Sequence, residues 1–113
     1  MVDTRPLVAL VASIAAPAAL AADAAAEAER ASHHTRARVE MRVAQVELYC
    51  DHDASALHAM QRARRELQLA TGHGVGSGLA ALDRASWQMR HHDTTGAVAS
   101  LGDAIDGLDP AAG

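Results

Sequence analysis

Two stretches of this 113-residue chain carry the same apolar pattern, 41 residues apart. Met41 falls on Leu82, Ala44 on Ala85 and Leu48 on Met89. Further along, Ala56 falls on Ala97, Leu57 on Val98, Met60 on Leu101, Ala63 on Ala104 and Leu67 on Leu108. Within each stretch the apolar positions recur at helical spacing. A polar turn interrupts both, Cys50-Asp51-His52-Asp53 in the first and His91-His92-Asp93 in the second. No segment after the first twenty residues alternates β-branched and polar residues as a half-buried strand does. The fold class is therefore all-α: two tandem antiparallel helical hairpins forming a small four-helix bundle.

The first hairpin spans about 23–71. Helix one ends near Cys50, and helix two runs from about Ala54 to Ala70 behind Asp53 as N-cap. Gly72 to Gly78 reads as a glycine-rich loop that breaks the pattern. The second hairpin spans about 79–108, with Asp93 or Thr94 capping its closing helix and Pro110 stopping it. The tail at 111–113 is expected to fray. The hairpin segment Gly96 to Pro110, closing on Leu108-Asp109-Pro110, resembles a tetratricopeptide unit. That family repeats about every 34 residues, and the Trp, Leu and Gly positions of its first helix are unmatched here. The resemblance implies a similar way of packing hairpins and no shared activity.

Ahead of the bundle lies a different kind of sequence. Met1 to Arg5 is polar, Pro6 to Leu20 is continuously apolar or small, and Ala19-Leu20-Ala21 is a small-x-small site. This order is that of a secretory signal peptide, here residues 1–21, leaving 22–113 as the mature domain. The run is too short to span a bilayer, which takes about 20 apolar residues, so stable membrane insertion of the mature chain is not expected. Localisation reads as periplasmic or secreted from a bacterial cell.

Composition narrows the function. The formal net charge is −4 and every basic residue is Arg, which argues against nucleic acid as partner, since phosphate binding needs clustered positive charge. The chain has no Phe, one Trp and one Tyr, so its core must come from Ala, Leu, Val and Met. Small side chains let helices approach closely but bury little area at each contact, and a domain of this size has a thin core. A partner, from the same or another chain, would help it.

Helix one carries two apolar stripes. Val39, Val43, Val46 and Cys50 line one face, while Ala37, Met41, Ala44 and Leu48 line roughly the opposite face. A helix apolar on two sides needs neighbours on two sides: its hairpin partner, and either the second hairpin or another copy. Met41 and Leu48, with Trp87, are the candidate interaction face. Trp87 is either an anchor for a partner or cover for the gap between hairpins, and a core without Phe favours the second. His58, Arg62 and Arg65 make a basic stripe on helix two that reads as a solvated face.

Seven His and a single Cys are the only hint of chemistry. With both hairpin turns at one end of the bundle, Cys50, His52, His91 and His92 become candidate ligands for Zn²⁺ or copper. His33, His34 and His73 would gather at the other end. No CxxC, HxxxH or HExxH spacing supports either group. As a plain residue, Cys50 reads as a small buried hydrophobe on the valine stripe. A Cys50–His91 or Cys50–His92 pair has no oxyanion hole beside it, and Gly72 to Gly78 lacks the Lys of a phosphate loop. The sequence thus points to a non-enzymatic, cofactor-free exported protein acting on a protein partner or as a homo-oligomer. The alternative is a periplasmic metal-binding or metal-stress protein.

Overall fold

The computed structural model describes the backbone of residues 5–109 and the side chains of residues 20–109. The described residues form four helices: α1 Arg5–Tyr49, α2 Asp53–Leu69, α3 Val75–Arg90 and α4 Thr94–Leu108. α1 packs on α2 and α4, and α3 packs on the same two, while the diagonal pairs α1/α3 and α2/α4 stay apart. Short turns reverse the chain each time, so the four helices run up, down, up, down around one core. Cross-links between the hairpins fix the direction of α4 against α1. Gln45 Nε2 donates to the Val98 carbonyl at 3.1 Å near one end, and Leu108 lies beside Ala31, His34 and Arg38 near the other. Nearly all of the expected leader and the whole of the 111–113 tail lie outside the residues with described side chains. No helix among the described residues is long and apolar enough to cross a membrane.

The core is built mostly of alanine, leucine and methionine. Met41, Leu48, Leu67, Leu82, Leu101 and Leu108 are its largest fully buried side chains, and Ala37, Ala44, Ala56, Ala59, Ala63, Ala85 and Ala97 fill the space between helices. The valines of α1, expected to contribute, are outside it. From Leu20 to Ala31 every side chain is exposed, because α1 projects past the end of α2.

The 41-residue recurrence is visible in the backbone as well as in the side chains. After α1 the Asp51 N–H donates to the Leu48 carbonyl at 3.2 Å and the His52 N–H to the Glu47 carbonyl at 2.8 Å. After α3 the His92 N–H donates to Met89 at 3.1 Å and the Asp93 N–H to Gln88 at 2.8 Å. Asp51 and His92 share a φ of 58°, the left-handed residue with which this pair of bonds closes a helix C-terminus. Asp and His are among the side chains that tolerate that region best.

Two boundaries differ from the sequence reading. The tight first turn leaves His52 as the N-cap of α2, with no side-chain cap bond, and takes Asp53 into the first helical turn. There its carboxylate faces the positive end of the helix dipole. Asp93 caps α4 as expected, accepting from the Gly96 N–H at 2.9 Å. The glycine-rich segment is mostly helix: α3 starts at Val75, not near Leu79. Gly74, at φ 82°, makes the turn, and a Cβ there would overlap the Gly107 carbonyl of α4. A Cβ on Gly78 would sit 3.0 Å from Leu67 Cδ1. These glycines permit close packing rather than breaking the helix.

Candidate interaction face

At about 100° per residue, Val39, Val43 and Val46 fall within an arc of about 60° on α1, directly opposite Ala37, Met41, Ala44 and Leu48. α2 and α4 close over the second set, so the first points straight away from the bundle. Val39 is 52% exposed, Val43 37% and Val46 58%. Valine is not placed on a solvated helix face for helix propensity, because its β-branch loses side-chain freedom there. Arg42 and Glu47 flank the stripe and complete a shallow depression with it.

Toward α2 the surface continues past Val39 to Leu69, which is 67% exposed. Charged side chains bound this part. Arg62 Nε donates to Glu40 Oε2 at 2.9 Å, and His33 Nδ1 lies 2.7 Å from Glu66 Oε2, with Arg36 Nη1 3.7 Å from the same oxygen. An apolar strip with a polar rim is how protein interfaces are organised.

The interaction face expected at Met41 and Leu48 is corrected by this geometry. Their exposures are 0% and 1%, and both belong to the core of the single chain. The inward stripe alternates Ala37 and Ala44 with Met41 and Leu48, so small residues let the neighbouring helices approach while two long side chains fill the space between them. Trp87 does not cover a gap between hairpins. It is 53% exposed, with its ring stacked on His91 at 3.9 Å between centroids. Cys50 is exposed rather than buried on the valine stripe. Of the basic stripe on α2, Arg62 is held by Glu40, while His58 and Arg65 are exposed.

The two hairpin turns do lie at one end of the bundle, where Tyr49 and Asp51 neighbour Thr94 and Thr95. Their metal-type side chains go separate ways. His52 Nδ1 is 2.8 Å from Glu47 Oε2, and His91 Nδ1 donates to the Trp87 carbonyl at 2.8 Å, so both fold back on the preceding helix. His92 and Cys50 are exposed. At the other end His34 Nε2 donates to the Thr71 carbonyl at 3.2 Å and His33 pairs with Glu66. Among the described residues, no three His, Cys, Asp or Glu side chains come together as a metal-holding group.

No protein-family model matches the chain, and no curated protein matches its sequence. The residues that the sequence reading missed are Leu69, Tyr49 and Arg42. Arg42 and Tyr49 are exposed because α1 turns its Met41 and Leu48 side inward, and Leu69 because it ends α2 off that helix's buried face.

Proposed function

We propose that this chain is an exported small helical protein, periplasmic or secreted, that works without catalysis by protein–protein contact or self-association. One observation carries the reading: the solvent-facing line of Val39, Val43 and Val46, opposite the core and rimmed by charge. Each buried valine contributes about 1.5–2 kcal/mol on removal from water, so a partner covering all three gains several kcal/mol. The metal-binding alternative on Cys50, His52, His91 and His92 has weaker support, because His52 and His91 are already bonded to the helix that precedes each turn.

A photo-crosslinking residue placed at Val43 in the native host tests the contact. An adduct is expected from Val43 and none from the exposed Asp106 on α4. Equal yields from the two positions, or none from Val43, would remove the reading. Export is tested separately by the intact mass of the protein from its host, which is expected to correspond to a chain starting at Ala22.

A further inference from the structure

We propose that the valine face is covered by a second copy of this chain, with the two α1 helices side by side and parallel. This rests on the protein-contact reading above and names the partner. The spacing of Val39, Val43, Val46 and Cys50 is four, three, four. That is the d, a, d, a spacing of a heptad, which lays the stripe straight along the helix as a narrow seam rather than a broad face. Cys50 holds the last place because its N–H still donates to the Val46 carbonyl at 3.1 Å, continuing the helical turn.

Charge then selects the partner and its direction. In this register Arg42 is a g position and Glu47 the e position five residues on. In a parallel pair, g of one helix meets e of the other at that offset, so Arg42 faces the partner's Glu47 twice about the two-fold axis. Arg42 is exposed and has no ion pair or hydrogen bond among the described residues, so it is free to make this contact. Glu47 uses Oε2 for His52 and keeps Oε1. An antiparallel pair would set e against e, bringing Glu40 toward the partner's Glu47 and leaving Arg42 without an acid. The seam is self-complementary only in the parallel sense. It is also short, ending at Arg36 on one side, where the next a position is held by Glu66 and Ser32, and at Cys50 on the other. Its length is about 18 Å, so the association is weak and depends on concentration.

The parallel register puts Cys50 opposite the partner's Cys50, whereas an antiparallel one puts it opposite Val39. Cys50 therefore reports the register. With oxidised glutathione as disulfide donor, two Cys50 thiols give up two protons and two electrons to form one disulfide, and the donor is reduced to two thiols.

The test combines sedimentation of the reduced protein with this trapping reaction. The reduced chain is expected to pass from monomer to dimer as concentration rises, and Val43→Glu to hold it monomeric with unchanged helicity. Cys50–Cys50 disulfide should form at least about tenfold faster in the parent than in Val43→Glu. Arg42→Glu should weaken the dimer about tenfold, two reversed pairs being worth roughly 1–2 kcal/mol. Adding Glu47→Arg to Arg42→Glu should restore it. A dimer indifferent to Val43→Glu, or one that the double exchange fails to restore, would overturn the parallel seam. A strict monomer whose Val43 position still crosslinks to another protein would overturn the second copy as occupant while leaving the contact reading intact.

Discussion

Replacing Met41 or Leu48 with Glu will unfold the chain rather than change its assembly. Met41 is 0% exposed and Leu48 1%, both on the face of α1 that α2 and α4 close over. A carboxylate there would be taken out of water into a space walled by alanine and leucine side chains, and burying it costs several kcal/mol. The lost apolar contact adds about 2–3 kcal/mol. A small domain of this kind has a total stability near the low end of about 5–15 kcal/mol, so either change consumes most of it. Circular dichroism should show loss of helicity and of the cooperative melting transition. The same substitution at Val43, on the other face, should leave both in place. A Leu48→Glu protein with native helicity and melting would put the opposite stripe of α1 in the core.

That contrast marks where the sequence stops being readable. The hairpin pairing was legible, because Met60, Ala63 and Leu67 repeat the spacing of Leu101, Ala104 and Leu108, and all six are buried. The two stripes of α1 share one rhythm, so periodicity shows that both are apolar without saying which turns inward. Packing settles it once α4 closes against α1, and that closure is a long-range event with no local signal. The same limit hid the start of α3. Gly72 to Gly78 has the composition of a loop, but Gly78 is glycine because Leu67 of α2 lies against it. The histidines are a third case. That both turns share one end follows from counting helices. The left-handed Asp51 and His92, which set where the neighbouring side chains go, follow from the backbone alone.

The contact between Leu67 and Gly78 yields the second large effect. Leu67→Ala removes a fully buried side chain where α2 meets α3 and should cost about 3 kcal/mol, lowering the melting temperature by roughly 15 °C. Gly78→Ala by itself brings two opposing terms. Alanine favours the helix by about 1 kcal/mol over glycine, while its methyl comes to 3.0 Å from Leu67 Cδ1 and pushes the tip of that side chain off its position. The single change should therefore alter stability by less than about 1 kcal/mol. With Leu67 already cut back to Ala, the crowding is gone and the added methyl lies in the space that the leucine vacated. Gly78→Ala should then stabilise by about 1–2 kcal/mol, from helix propensity and cavity filling together. Urea unfolding of the parent, both single variants and the double variant measures the coupling directly, and about 1 kcal/mol is expected between the two sites. Strict additivity would mean that Gly78 is in the helix for a reason other than room for Leu67, and that α2 and α3 do not meet at this point.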